Sequence, residues 1–452
     1  MLKKDKKIAE IINWLSNELK SSFDLVEKTL NIERKQGQLL YVKTVVDGLQ
    51  LQEVIIKPFF ELPSEKHVEA YLTSLPQQQE VISKEQILLE LTKGSIVIVI
   101  QGSLFLLDIK KVHTNAVLET SMEQTLRGPQ LSLSEDIETN INLIRQRYHQ
   151  PSLTVEMLEV GEKSKQSLAV LYDQDTVNKA VLANITKKLQ SLEVPIIQSS
   201  VELQRYMNDK RHSLFPTMMV TERTDRIIYN LAGGKVAILL DGNAFMVIAP
   251  VVFFDFMTTT EDKFNSYWVT MFTKLLRYFG LIVCLILPGL YVALISYNPE
   301  VLRVELTLAV AGSRIGVPYP SFIEVLFMIV FMELLTEASI RLPKPVSATA
   351  TTVGGLILGT AATDAALTSN IMIIIVSAVA IATFVIPINE LSFAVRVIRL
   401  VLLFFSTIFG LAGLTLATLG LIMYLSNLNS FGEPYLKLFF QKGKSEVKGV
   451  KP

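Results

Sequence analysis

Cysteine is almost missing from this chain: Cys284 is the one thiol in 452 residues, and it lies inside an apolar run. That excludes a disulfide framework and gives a thiol catalyst no suitable setting. Histidine is nearly as scarce. His67, His113, His149 and His212 are scattered, and there is no HExxH, Walker loop, dinucleotide fingerprint or nucleophile elbow, so no metal or cofactor is expected. Gly233-Gly234-Lys235 and Gly354-Gly355 are too short to be phosphate loops and read as turn or packing glycines. Net charge is absent as well. The 43 basic and 43 acidic side chains cancel, which leaves no footprint for nucleic acid. The absences together speak against an enzyme.

What is present is lopsided. Half of the residues are hydrophobic, yet the long apolar runs all lie beyond Thr273. A soluble half is therefore expected to precede a membrane half. The opening MLKKDKKIAEIINWLSNELK is charged and amphipathic, without the apolar core or cleavage site of a signal peptide, so the first half is expected to be cytosolic.

The soluble half alternates helical and extended patterns, an α+β composition. Residues 83–92 read as a helix, and 95–109 as two strands turning at Gln101-Gly102. The construction returns 140 positions later. Without a gap Ile87 aligns with Ile227, Leu91 with Leu231, Gly94 with Gly234, Gly102 with Gly242 and Phe105 with Phe245. An internal repeat of helix plus hairpin follows. Between the copies, SEDIETNINLIRQRY reads as a helix with Ser134 as N-cap and Ile137, Ile141 and Ile144 on its buried face. Domains are expected at 1–150 and 151–270, both α+β, then a polytopic helical membrane domain of four to six segments at 271–430 and a lysine-rich cytosolic tail at 431–452.

In the membrane half, Lys274 and Arg277 precede the first run and place its start on the cytosolic side. The run 322–342 is interrupted by Glu324, Glu333 and Glu337. Glu333, Glu337 and Arg341 share a face at i, i+4 spacing, which fits either a functional face or an interfacial amphipathic helix. The basic tail demands an even number of crossings, whereas the apolar runs number five. Either 322–342 does not span or 393–424 folds back on itself.

The segment 347–387 is the strongest functional candidate. It carries one formal charge, Asp364, and can cross twice with a turn near Ser369 and Asn370. Its first half puts Gly355, Gly359, Ala362 and Ala366 on one stripe, suited to close backbone approach in a homo-oligomer. Val353, Ile357, Thr360 and Asp364 lie nearly opposite, as on a helix lining a water pathway. A plain packing helix with Asp364 at headgroup level is the alternative, and these residues leave both open.

Taken in order, Arg127-Gly128-Pro129, SEDIETNINLIRQR with Asn140 and Arg145, FPTMMVTERTD with Glu222, Arg223 and Asp225, VAILLDGNAFMVIAP, LPGLYVALISYNPE, MELLTEASIRLP, VGGLILGTAA and NSFGEPYL resemble the A subunit of the GerA-type spore germinant receptors of Bacillus and Clostridium. The resemblance covers roughly residues 90 to 438. The chain departs from the family pattern at GPQLSLSED and at Thr336-Glu337-Ala338. The resemblance implies a multi-pass subunit of the inner spore membrane. Its implied partners are a transporter-like B subunit, through which a small-molecule germinant binds, a lipoprotein C subunit and membrane lipid. It also implies an oligomeric ligand-gated cation channel, or alternatively a scaffold or signalling subunit that conducts nothing.

Overall fold

The computed structural model describes residues 2–32, 35–79, 83–111, 120, 123, 125, 128–208 and 213–437. Its first part is one architecture built twice. The first unit runs α1 (Leu2–Leu19), β1 (Leu25–Ile32), β2 (Lys35–Val42), a helical stretch of α2 (Gly48–Gln50), a π turn (Leu51–Ile56) and α3 (Lys57–Glu61), then α4 (Glu65–Ser74), β3 (Gln78–Gln79), α5 (Lys84–Lys93), β4 (Ser95–Ile100) and β5 (Ser103–Asp108). The second runs α6 (Ile137–Arg145), β6 (Leu153–Val160), β7 (Gln166–Asp173), α7 (Lys179–Gln190), α8 (Ser200–Met207), β8 (Met219–Thr221), α9 (Thr224–Ala232), β9 (Val236–Leu240) and β10 (Met246–Ala249). The sheets have orders β1-β2-β4-β5-β3 and β6-β7-β9-β10-β8, the same position for position and antiparallel throughout.

Packing repeats with the topology. In the first unit α1 and α5 cover one sheet face through Leu15, Leu19, Ile87 and Leu91, and the 51–72 helices cover the other. In the second, α6 and α9 take the first role, with Ile141, Ile144, Ile227 and Leu231 buried, and α7 and α8 the second. Both sheet faces are dry, so β4 (SIVIVI) and β9 (VAILL) are apolar at nearly every position instead of alternating. The glycines of the alignment keep their roles. Gly94 and Gly234 have φ of 113° and 79°, and a Cβ on either would strike backbone of the loop after the second strand, Val45 O at 2.8 Å or Thr176 O at 2.5 Å.

The repeat is larger than helix plus hairpin, and it takes α6 with it. Because Ile137, Ile141 and Ile144 pack into the second core, the division between units lies ahead of α6, upstream of residue 150. The helix N-cap is Asp136, which accepts from Thr139 N at 2.7 Å, and not Ser134. Ser134 is instead held by Asn140, whose Oδ1 accepts from its amide and whose Nδ2 donates to its carbonyl. Truncating Ile144 to Ala is expected to cost about 2 to 5 kcal/mol, read as a lower unfolding midpoint of the full chain.

Beyond two 3-10 turns (Phe253–Met257 and Thr260–Lys263) the chain becomes a helical bundle: α10 (Tyr267–Ser296), α11 (Val304–Ser313), α12 (Ser321–Arg341), α13 (Lys344–Asp364), α14 (Asn370–Val385) and α15 (Asn389–Ser426). Two of them, α10 and α15, are long and apolar enough to cross a membrane. α10 leaves the second unit, to which Arg277 ties it through Asp262, and at its far end Ser296 meets Ser321 at the start of α12. α12 returns, α13 rises and α14 returns, bringing Val385 against Gly280 of α10.

α15 folds back on itself. Drawn straight, Glu390 and Tyr424 would stand about 51 Å apart. Both touch the same short stretch of the second unit: Val220 N donates to Glu390 at 3.2 Å, and the Tyr424 ring packs 6.2 Å from that of Phe215. The reversal is at Gly410, with φ 60° and ψ −139°. There the Tyr297 ring closes over the glycine and its hydroxyl donates to the carbonyl of Thr407. A Cβ at Gly410 would lie 2.9 Å from Tyr297 Cβ. Gly410→Ala is therefore expected to cost at least about 1 to 3 kcal/mol and lower the melting temperature. Gly420→Ala, where an added Cβ meets nothing within 4 Å, should leave it unchanged.

After α15, 428–435 comes back to the second unit. Ser430 Oγ donates to Thr217 O, Phe253 N donates to Tyr435 O, and Tyr435 is fully buried. Of the basic tail only Lys437 is described, paired with Glu433; Lys442, Lys444, Lys448 and Lys451 lie outside the described residues.

Candidate ion pathway and the networks that hold it

α13 is built from small residues, and its two sides differ. Gly355 and Gly359 look toward α12 and α14 of the same chain across a cavity of about 250 Å³, lined also by Met328, Met332, Ile373 and Val376. Ala362 is buried beyond it. Ala366 does not extend the stripe: the helix ends at Asp364, and Ala366 turns the chain with φ 53°. On the opposite side Val353 and Ile357 are 49% and 59% exposed, and Thr360 and Asp364 are exposed with them. The Thr360 hydroxyl is spent on Leu356 O, so what this stripe presents is two apolar side chains, a methyl group and a carboxylate. The turn to α14 falls where the segment's polarity suggested, with Ser369 capping Met372 N.

The charges of α12 separate into three fates. Glu324 is completely buried. It accepts from Ser369 N and Oγ, both at 2.6 Å, and from Thr368 Oγ1, and it pairs with Arg314 at 3.2 Å, so it fastens the α13–α14 turn to the start of α12. Glu333 pairs with Arg399 at 2.5 Å and Arg396 at 3.3 Å, both on α15. Arg399 has no exposed surface and Glu333 is 30% exposed, so this pair is a half-buried clamp between helices. Glu337 and Arg341 pair with each other on the surface at i, i+4, 60% and 77% exposed, where such a pair contributes little.

The motif residues of the first part hold the α/β body together. Arg223 is fully buried and grips Asp225 with Nε and Nη2 at 3.0 and 2.8 Å, while its remaining hydrogens reach Glu123 O, Thr125 Oγ1 and Pro129 O. Glu222 accepts from Glu123 N, and Leu133 N donates to its carbonyl. Gly128, at φ 108°, lets the Phe264 ring lie where a Cβ would be 2.7 Å away. Arg145 joins the units: Nε and Nη2 each meet an Asp24 oxygen at 2.9 Å and Nη2 also donates to Ser22. Asn142 donates across the same seam to Thr44 O at 2.6 Å. Arg127 lies outside the described residues.

Where the body meets the bundle, charge is again paired. Burial works to raise the Asp262 carboxyl, but the Arg277 hydrogen bond, the Thr259 amide and the charges of Arg277 and Lys274 outweigh it and hold it below the ordinary range. Among the described residues no group of three or more His, Cys, Asp or Glu could hold a metal ion.

The chain thus joins a duplicated α/β body to an apolar helical bundle in which two helices are long and apolar enough to cross a bilayer. The chain belongs to the family described as Bacillus/Clostridium GerA spore germination protein, whose model matches residues 13–450. It is 31% identical to spore germination protein B1 of Bacillus subtilis (strain 168), over 93% of this chain and 92% of that one. Spore germination protein GerLA of Bacillus cereus is 37% identical over 69% of this chain and 64% of its own length. The crystal structure of the N-terminal domain of the A subunit of the Bacillus megaterium spore germinant receptor GerK3 matches 54% of this chain and 94% of that one, at 19% identity and a TM-score of 0.41.

Proposed function

We propose that this chain is the A-type membrane subunit of a spore germinant receptor, that it catalyses no reaction, and that it works in the inner spore membrane with a transporter-like B subunit and a lipoprotein C subunit. A small-molecule germinant acts through the B subunit. In this reading α10, α12, α13, α14 and the two arms of α15 are six crossings. That even number returns 428–437 to the side of the α/β body, in keeping with Lys274 and Arg277 at a cytosolic start. Copies of the chain assemble in a ring, with α13 around a cation path.

The observation that carries the pathway is the uncovered stripe of Val353, Ile357, Thr360 and Asp364 on a helix whose other side faces its own bundle. A ring of Val353 and Ile357 closes by dewetting, and a ring of Asp364 attracts cations at one mouth. The test is cation flux from liposomes holding the receptor with its B and C subunits. Flux that rises on adding germinant is the expected result. Correct assembly with flux no greater than from empty vesicles would make the chain a scaffold that carries its α/β body into the complex.

A further inference from the structure

A second cavity, of about 260 Å³, opens where α9 and β9 meet the 3-10 turns ahead of α10. Its walls include Arg226, Lys235, Lys263, Tyr229, Asp255 and Thr260. Three cations thus share it with one carboxylate, and that carboxylate is taken: Asp255 pairs with Lys235 at 2.7 Å and accepts from Val252 N. Arg226 pairs with Glu123 at 3.0 Å and donates from Nη2 to Thr258 O at 3.2 Å. Lys263 has no carboxylate partner among the described residues. Its ammonium lies 3.3 Å from the centre of the Tyr229 ring.

Two further observations point to a missing guest. Thr260, one of the lining residues, is 5% exposed, and its Oγ1 is buried with no hydrogen-bond partner among the described residues, a cost that an acceptor brought to it removes. Burial lowers the Lys263 pKa, and the neighbouring Lys235 and Arg226 charges lower it further, against the opposing pull of Asp225. An anion would relieve that crowding. The Gly233-Gly234 amides point back to carbonyls of α9, so the guest is held by side chains and not by a backbone loop.

We propose that this cavity is a binding site for a phosphate-bearing anion, supplied either by a phospholipid headgroup or by free phosphate. The lipid source rests on the membrane reading given above. The same turn that lines the cavity receives Arg277 of α10, through Met257 O and Thr259 Oγ1. About 20 residues of α10 follow Arg277, the length that crosses a hydrocarbon core. The cavity mouth then stands at headgroup level.

The experiment is thermal unfolding of the full chain in neutral detergent, titrated separately with short-chain phosphatidylglycerol, inorganic phosphate and short-chain phosphatidylcholine. A saturable rise in melting temperature with phosphatidylglycerol alone supports the site and assigns it to acidic lipid. A rise with phosphate as well supports the site and assigns it to the free anion. In either case Lys263→Gln and Thr260→Val should weaken the apparent affinity by roughly tenfold, and Lys263→Arg should retain it. No rise with either anion, an equal rise with phosphatidylcholine, or affinities unchanged in Lys263→Gln overturns the proposal. Because the readout is binding and not flux, failure here leaves the cation-path reading standing.

Discussion

Arg145→Ala is expected to destabilise the chain by about 3 to 5 kcal/mol, because it strands the Asp24 carboxylate in a dry seam. Asp24 and Arg145 have side-chain exposures of 0% and 1%, so neither can turn to water when the other is lost. Packing alone would predict a smaller loss, since losing an aliphatic stem costs less than stranding a buried charge. The charge explanation is checked by a double replacement. Arg145→Met with Asp24→Leu should recover most of the stability, because an apolar pair of similar volume carries no desolvation penalty. Melting temperatures of the two single variants and the double variant decide it. A double variant no more stable than Arg145→Met would mean that geometry, and not the stranded charge, is what the seam requires. Lys43–Glu138, the exposed pair across the same seam, should contribute less than about 1 kcal/mol.

Legibility followed the range of the interactions. The α5–β4–β5 and α9–β9–β10 copies could be read because their marks are local: a helical apolar face, a left-handed glycine, a turn and two apolar strands. The remainder of the repeat left no such trace. β1 (LVEKTLNI) is half polar because only one side of an edge strand is well covered, and the short helices over 48–61 share no pattern with the single helix α7, though both cover the same sheet face. Ser134 looked like the cap because it stands ahead of acidic residues, but Asn140 claims it six residues on. In the bundle, Glu333 and Arg399 are 66 residues apart, so their pairing follows from helix packing and not from spacing. α11 went unread, since Glu305 and Arg314 bracket too short an apolar run. That α15 reverses at Gly410 is set by its φ of 60° and ψ of −139° under the Tyr297 ring, a contact distant in sequence that no local spacing of glycines announces.

Ile357→Ala is expected to open a constitutive leak, and Ile357→Trp to abolish flux through the assembled receptor. The reasoning begins with the position of the side chain. Ile357 is more than half exposed on a helix whose glycine side faces inward, so its replacement disturbs little of the subunit's own core. If copies of α13 stand round an axis, shortening this side chain widens the apolar constriction and wets it. A rise of roughly tenfold in resting flux corresponds to a barrier lower by only about 1.4 kcal/mol. Asp364→Asn should reduce preference for cations over anions without changing the melting temperature, since Asp364 is exposed at the end of the helix. The competing path runs along α12 past Glu333. Glu333 is already committed to Arg399 and Arg396, so Glu333→Gln would leave the fully buried Arg399 short of its counter-charge. Its expected signature is a lower melting temperature together with lower flux, whereas the Ile357 variants should change flux and keep the melting temperature of the parent. Resting flux unaltered in both Ile357 variants, alongside selective loss of flux in a normally stable Glu333→Gln, would move the path from α13 to α12.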